Sequence, residues 1–146
     1  MTDWYFFNLP KINPDQLSPA VWAYVGDAVY ELFIRHHLLT KGPDKTKNLH
    51  QKAVSKVRAS FQAELVNKMG SFLNDSELEI IKRGRNVKSG HVPNGNDPIT
   101  YRYSTAFEAL IGYLYLKEEY SRLREILQKT LELGESCQES GDRSHQ

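Results

Sequence analysis

The sequence predicts an all-α fold in one compact domain. Apolar residues recur at helical spacing in several long segments, and alternating runs bounded by hairpin turns are nearly absent. The composition of the 146 residues, 40% hydrophobic and 25% charged, is typical of a globular domain with a real core. We expect an irregular arm over residues 1–17, the helical domain over 18–133, and a polar, disordered tail over 134–146.

The first predicted helix begins after Ser18 and Pro19, which suit an N-cap and the first helical position. It extends to Leu39 or Thr40, where "KGPD" ends it. Helical spacing predicts a core-facing stripe of Trp22, Val25, Val29, Leu32, Phe33 and His36. The opposite side, around Asp27, is also apolar, with Ala23, Tyr24, Tyr30 and Ile34. A helix that is apolar on both sides is central in its domain or shared with a partner chain.

The next helical pattern is continuous over residues 46–72, and we expect one helix there. Asn74 or Asp75 then caps a short third helix. Periodicity is lost over 83–97, "RGRNVKSGHVPNGND", which predicts a long loop. Such loops are uncommon inside compact domains and are often functional.

The last predicted helix begins near Tyr103 or Ser104 and extends to about Leu133. Gly134 is expected to end it, because glycine favours the position just after a helix.

Several features predict a cytosolic protein. The single cysteine, Cys137, cannot form an internal disulfide, which suits a reducing compartment. The chain opens without a signal-peptide pattern and contains no apolar run of about 18 residues that could cross a bilayer.

Charge is unevenly distributed along a chain whose net charge is only +1. Residues 35–102 contain 13 Lys and Arg against 6 Asp and Glu, whereas residues 103–146 contain 5 against 8. A basic middle between acidic ends indicates a face that binds a polyanion, although solvated lysines on exposed helices would give the same composition.

Two carboxylates stand in otherwise apolar helices, and each has a glycine close by. Asp27 follows Gly26 in "AYVGDAVYELFIRHHLL", and Glu108 precedes Gly112 by four residues in "YSTAFEALIGYLYL". Carboxylates from two facing helices can share a hard cation such as Mg²⁺, which prefers oxygen ligands. Alternatively, Asp27 pairs with a core arginine and Glu108 caps a neighbouring helix; the spacing leaves both interpretations open.

The segment "KRGRNVKSG" combines basic side chains with glycines, an arrangement that suits phosphate contacts. The candidate polyanion-binding residues here and just before the acidic helix are Lys82, Arg83, Arg85, Asn86, Lys88, Ser89 and Arg102. It is not a P-loop, because the glycine-to-"GK[ST]" spacing is missing. An ordinary solvated basic loop is the alternative. His36 and His37 have no further ligand at metal-site spacing, so packing or surface roles are expected for them.

These motifs resemble the catalytic domain of the ribonuclease III family, in the family's order. The first acidic helix is similar to a "LEFLGDAVL" pattern, and the second is similar to an "EALIGA" core. "RGRNVKSG" and "TYRYSTAFEALIGY" resemble the Mini-ribonuclease III subgroup, which has the catalytic domain without a double-stranded RNA-binding domain. The resemblance covers about residues 18–133.

The resemblance implies a helical, homodimeric endoribonuclease that hydrolyses phosphodiesters in double-stranded RNA. Asp27 and Glu108 would be the catalytic residues and would ligate Mg²⁺, with Mn²⁺ as an alternative ion. Tyr24 would lie at the dimer contact. The implied substrate is a precursor stem of large-subunit (23S) ribosomal RNA, with a ribosomal protein as a helper that presents it.

Two positions depart from the family pattern. Ala23 and Thr105 stand where the wider family has a glutamate and an aspartate. The chain therefore offers two carboxylates for the site rather than four, which leaves one metal or two open. This reduction also favours the alternative function, a non-catalytic module that binds double-stranded RNA on the same fold. A helical protein–protein adaptor is the third interpretation.

Overall fold

The computed structural model describes residues 8–88, 92–93, 95 and 97–143, with side chains described as far as residue 135. Six α-helices follow a short 3₁₀ turn at Pro14–Gln16. They are α1 (Pro19–Leu39), α2 (Thr46–Val57), α3 (Ala59–Met69), α4 (Asp75–Arg85), α5 (Pro98–Leu116) and α6 (Tyr120–Arg143). No strand occurs in these residues, so the all-α prediction is confirmed. None of the described helices is long and apolar enough to cross a membrane.

Helix α5 is the centre of the fold. It packs against α1, α3 and α4 and also contacts α6. Its buried residues include Phe107, Leu110 and Ile111, none of which is exposed at all. Because other helices surround it, α5 is apolar on nearly every side, which is the pattern of a central helix.

Helix α1 has the predicted bounds, but the predicted core stripe was wrong in part. Its buried face is Trp22, Gly26, Tyr30, Ile34 and Leu38, which are spaced four residues apart. Leu32 and His36, expected in the core, are exposed. Apolarity on both sides hid the true face, because periodicity cannot separate two apolar faces.

The single helix expected over residues 46–72 is two helices, which meet at Arg58 in extended conformation (φ −65°, ψ 151°). Helix α2 buries only Ala53, whereas α3 buries six residues on several sides. The change of direction at Arg58 brings α3 into the core, while α2 stays at the surface. No glycine or proline marks this break, so tertiary packing overrides the local pattern.

The single long helix predicted from about residue 103 to residue 133 is two helices, α5 and α6, and its predicted start and end were also wrong. It begins at Pro98, where the Asp97 side chain accepts a hydrogen bond from the Thr100 N–H (3.2 Å). It breaks after Leu116, where Glu118 adopts a left-handed conformation (φ 63°). The Glu118 and Glu119 N–H groups donate to backbone carbonyls of the last turn, which closes a Schellman-type end without its usual glycine.

Gly134 does not end α6, which continues to Arg143. The glycine is buried, and a Cβ at this position would contact the ring of Phe61 at 3.0 Å. It is therefore a packing glycine that allows α3 and α6 to approach.

The third predicted helix has the expected start. The Asn74 side chain accepts from the Glu77 N–H, and the Glu77 carboxylate accepts from the Asn74 N–H, which together make a capping box. This helix, α4, extends to Arg85, beyond the predicted start of the loop at residue 83. Arg83 and Arg85 therefore lie on its last turn rather than in a loop.

Candidate active site

The site is built on a close crossing of α1 and α5. A Cβ added at Gly26 would overlap the backbone carbonyl oxygen of Glu108. A Cβ added at Gly112 would overlap the carbonyl oxygen of Trp22. The two glycines therefore allow the helix backbones to touch, which no other residue would permit without displacing a main chain. Asp27 follows Gly26 directly, so this crossing brings Asp27 beside Glu108.

The carboxyl groups of Asp27 and Glu108 are within hydrogen-bonding reach of each other. Asp27 is exposed, whereas Glu108 is half-buried. Burial, the charge of Asp27 and the hydrogen bond to Asp27 raise the pKa of Glu108 to about 9. Burial and the neighbouring Asp27 therefore favour the protonated form of Glu108 at neutral pH. The alternative partners considered from sequence, a core arginine for Asp27 and a helix cap for Glu108, do not occur in the described contacts.

The two positions that depart from the family pattern flank this pair. Ala23 lies one helical turn before Asp27. Thr105 precedes Glu108, and its hydroxyl donates to the backbone carbonyl of Tyr101 (3.1 Å). Across the described part of the chain, no group of three or more His, Cys, Asp or Glu side chains is placed to hold a metal ion. The site thus has two acidic oxygen donors, both supplied by the α1–α5 crossing.

The basic end of α4 packs against α5, the helix that carries Glu108. Gly84 is buried against Ala106 and Ala109 of α5, and a Cβ on Gly84 would overlap both. This contact sets the basic end of α4 beside the stretch of α5 that carries Glu108. Sequence reasoning treated Gly84 as a loop glycine and missed its packing role. The one sequence signal for this packing role is that Gly84 follows Ile80 by four residues, which places both on the apolar face of α4.

The predicted RNA-binding residues have different surroundings. Lys82 and Lys88 are exposed, and so is Arg102 near the start of α5. The guanidinium of Arg83 lies 4.9 Å from the ring centroid of Trp22, one turn before Gly26. Arg85 is half-buried, and its side chain contacts that of the neighbouring Asn86.

Asn86 forms the C-cap of α4, and its side-chain oxygen accepts a long hydrogen bond (3.5 Å) from Arg85. Ser89 lies outside the described residues. The structure thus packs the basic end of α4 against α5, the helix that carries Glu108, and it packs Arg83 on Trp22 of α1.

A face of α1 that points away from the core is apolar and exposed. Tyr24 is 80% exposed, and Val21, Leu32 and Leu39 are also exposed. These residues repeat at intervals of three, eight and seven, which places them along one side of a helix. The face stands next to Asp27 and is not covered by the described residues of this chain.

Comparison with known proteins identifies the family of this chain. The family model described as "Ribonuclease III domain" matches residues 20–119. The chain is 44% identical over 125 residues to "Mini-ribonuclease 3" of Thermoanaerobacter sp. (strain X514), covering 86% of this chain and 88% of that protein. It is 40% identical over 136 residues to "Mini-ribonuclease 3" of Clostridium tetani, covering 92% and 90%.

A solved structure gives the same result for the fold. A crystal structure of a protein from Fusobacterium nucleatum superimposes with a TM-score of 0.73 at 28% identity, covering 84% of this chain and 98% of that one. The family match spans both acidic helices and the basic segment between them. The chain belongs to the ribonuclease III family of endoribonucleases, and within it to the Mini-ribonuclease III group.

Proposed function

We propose that this protein is a Mg²⁺-dependent endoribonuclease specific for double-stranded RNA. The observation that carries the proposal is the contact between the Asp27 and Glu108 carboxyl groups across the glycine crossing of α1 and α5. Burial and the neighbouring Asp27 disfavour the charged form of Glu108, so this pair of acids does not stabilise the apolar helix crossing. Their retention is explained by a cation that both would bind.

The donor set fits Mg²⁺. This ion is commonly held by one or two carboxylates, with waters and substrate phosphate completing its shell. Asp27 and Glu108 would hold it, and Glu108 would lose its proton to bind as a carboxylate. A bound Mg²⁺ lowers the pKa of a coordinated water and stabilises a leaving oxygen. Mn²⁺ uses the same oxygen ligands and would serve as an alternative.

The protein residues around the metal would bind and orient the RNA. Lys82, Arg85, Lys88 and Arg102 can neutralise backbone phosphates beside the acidic pair, with Asn86 and Ser89 as uncharged partners. Arg83 would contribute charge while its guanidinium stays packed on Trp22. A-form RNA hides its base edges in a deep, narrow groove, so binding would follow shape and phosphate position. Affinity would therefore fall steeply as salt concentration rises.

The protein would act as a homodimer that pairs through α1. The exposed apolar face containing Tyr24 supports this arrangement, because large apolar side chains on one face mark an interaction surface. Pairing two copies there would place both acidic pairs beside one groove. If light scattering at micromolar concentration gave only the 16.8 kDa monomer, this arrangement would be wrong.

The substrate proposed within this class is a 23S ribosomal RNA precursor stem in the cytoplasm. Membership in the Mini-ribonuclease III group supports this choice. The Mini-ribonuclease III group has the catalytic domain without a double-stranded RNA-binding domain. A ribosomal protein that presents the stem would therefore add to the affinity of the enzyme for this RNA. A precursor stem should be cut at fixed positions, whereas an unrelated duplex of equal length should be cut slowly and at scattered positions.

One assay tests the central proposal. The parent protein, Asp27→Asn and Glu108→Gln are incubated with a long RNA duplex, with and without Mg²⁺. We expect the parent to cleave the duplex only when Mg²⁺ is present, and we expect neither variant to cleave it. Glu64→Gln, which neutralises an exposed acid on α3, is the matched control and should cleave normally. Duplex binding without cleavage by the parent would instead identify a non-catalytic binding module, as the alanine and threonine at 23 and 105 allow.

A further inference from the structure

A charged cavity lies at the C-terminal end of α1, away from the Asp27–Glu108 pair. It has a volume of about 260 Å³ and lies between the end of α1, α2 and the C-terminal part of α6. Its lining residues are His37, Leu38, Lys41, Lys52, Ser55, Lys56, Leu131 and Glu135. His37 follows Asp27 by ten residues on the same helix, which separates them by about 15 Å along the axis. The cavity is therefore distinct from the acidic pair.

The cavity holds more positive than negative charge. Lys41 and Lys56 lie close enough for their charges to interact, and Glu135 is the one acid in the lining. Burial, followed by the charge of Lys41, lowers the pKa of Lys56 despite the opposing effect of Glu135. Burial and the same two lysines lower the pKa of His37. A single carboxylate thus leaves the repulsion among these groups uncompensated.

The remaining polar groups of the lining are already engaged. The ammonium of Lys52 pairs with Asp44, which lies outside the cavity lining, at 2.6 Å. The Ser55 hydroxyl donates to the backbone carbonyl of Lys52 (2.8 Å). A ligand would therefore be bound by Lys41, Lys56 and His37 rather than by these two residues.

Lys56 is held in place from two sides. Its backbone carbonyl accepts a hydrogen bond from the buried Tyr30 hydroxyl (3.2 Å). Its ammonium lies 5.9 Å from the ring centroid of Phe61. Ordinary surface lysines extend into water and separate from one another, whereas Lys56 is half-buried and faces the same space as Lys41. The hydrogen bond positions the Lys56 backbone, and partial burial beside Phe61 restricts the side chain, which reduces the entropy lost when the ammonium binds an anion.

We propose that this cavity is a second phosphate-binding site, in which Lys41, Lys56 and His37 bind the phosphate group of a free anion or of an RNA backbone. The volume is below the roughly 300–1,000 Å³ of pockets for drug-sized ligands, so it suits one or two phosphate groups. Lysine ammonium groups bind phosphate as point charges, and a histidine supplies a directed N–H donor. The proposal does not depend on RNA cleavage, because none of these residues contacts Asp27 or Glu108 in the described interactions.

Inorganic pyrophosphate is the probe for this site. It is titrated into the full-length protein in metal-free buffer at low salt, and binding is followed by calorimetry and by the ring resonances of His37. We expect saturable binding and a shift of the His37 signals. Lys41→Gln and Lys56→Gln should each weaken binding about tenfold, since each removes one charge-assisted hydrogen bond. Lys41 follows the end of α1 and is exposed, so its replacement tests the site even if Lys56→Gln folds poorly.

Lys47→Gln is the matched control, because Lys47 is an exposed lysine of α2 that does not line the cavity. It should change the affinity less than twofold. Absence of saturable binding, or an equal loss in Lys47→Gln, would overturn the proposal. A duplex RNA that displaces pyrophosphate from the site identifies the RNA backbone as the source of the phosphate, whereas failure to compete identifies a free anion. A protein unable to cleave RNA would still bind pyrophosphate here.

Discussion

Glu77 is buried and Glu108 is half-buried, but Glu77 contacts a basic side chain whereas Glu108 contacts an acidic one. Glu77, at the start of α4, receives two hydrogen bonds from Arg122 of α6 (2.7 and 2.8 Å). Glu108, in α5, has the Asp27 carboxyl as its neighbour. Burial raises the pKa of Glu77, but the hydrogen bonds from Arg122 and from the Asn74 backbone, together with the charge of Arg122, outweigh burial and lower the net pKa. Burial and Asp27 act in the same direction on Glu108 and raise its pKa to about 9.

This difference separates a stabilising carboxylate from a functional one. The Glu77–Arg122 pair joins two helices, and Arg122 also donates to the backbone carbonyl of Phe72 (2.8 Å). Every hydrogen bond in that cluster favours the folded state. The Asp27–Glu108 pair costs stability in the metal-free protein, because one acid must stay protonated. Matched substitutions can therefore separate the two roles.

The same substitution at the two glutamates should give the largest contrast. Glu108→Gln should slow cleavage of duplex RNA about a thousandfold, because it removes a proposed metal ligand worth several kcal/mol of transition-state stabilisation. Glu77→Gln should leave the cleavage rate within about threefold at a temperature where the protein is folded, a difference below 1 kcal/mol. Single-turnover rates in Mg²⁺ measure both. Equal losses of activity would remove the distinction drawn between the two residues.

Glycine substitution should break the geometry on the Glu108 side of the comparison. An alanine Cβ at Gly26 would overlap the Glu108 main chain, which cannot move aside as a side chain can. We expect Gly26→Ala to lower the free energy of unfolding by about 3 kcal/mol or more. Gly70→Ala is the control, since Gly70 has helical dihedrals and open space around it. It should be neutral or stabilising by about 0.4–1 kcal/mol in urea unfolding.

Removal of the charge on Glu77 should have a smaller but clear effect on stability. Glu77→Gln keeps an acceptor for the capping box but leaves Arg122 without its buried counter-ion. We expect a loss of about 2 kcal/mol, less than for a fully buried pair because Arg122 is 24% exposed. Glu125→Gln removes the exposed partner of the same arginine and should cost below about 0.5 kcal/mol. Costs of equal size would mean that burial does not distinguish the two pairs.

The two glutamates should also give pH dependences of opposite sign. The lowered pKa of Glu77 means that its stabilising contribution is present above its unfolded value of 4.5 and is lost as pH falls through the folded value. The raised pKa of Glu108 means that the folded state binds an extra proton between 4.5 and about 9, so stability falls as pH rises across that range.

Metal-free urea unfolding measures both slopes. The parent should match Glu108→Gln near pH 5 and be less stable than it near pH 9. The parent should exceed Glu77→Gln near pH 7 and approach it near pH 3. A slope of the same sign for both residues would contradict the assignment of their partners.

The sequence predicted the helical class, the bounds of α1, and the capped start of α4, because each has a local signal. Ser18 and Pro19 mark a helix start, and Asn74 forms a cap with the glutamate three residues later. The breaks at Arg58 and Glu118 have no such signal. One is forced by the packing of α3 into the core, and the other places a glutamate where glycine is usual. Asp97 and Pro98 did carry a start signal for α5, which the search for apolar spacing passed over.

The candidate site followed a similar division. Asp27 and Glu108 were found because a carboxylate inside an apolar helix conflicts with its surroundings, and family resemblance paired them. Their direct contact depends on how two helices cross, which no spacing within one helix can express. The contact of Arg83 with Trp22 and the burial of Gly84 depend on tertiary packing in the same way. Tyr24 was expected on the apolar side around Asp27, but Leu32 of the same exposed face was expected in the core, because apolarity alone did not separate the two faces.

The backbone contact at Gly26 and Gly112 has a consequence for how this site can vary. Because main chain touches main chain, the distance between the two acid-bearing backbones is fixed by atomic radii rather than by adjustable side chains. The separation of the carboxyl groups then depends on the length and the rotamers of the two side chains. Replacing Asp27 by glutamate or Glu108 by aspartate would change the reach of one acid by a single methylene while the backbones stay in place. The helix crossing therefore fixes the separation of the two backbones from which the acids extend.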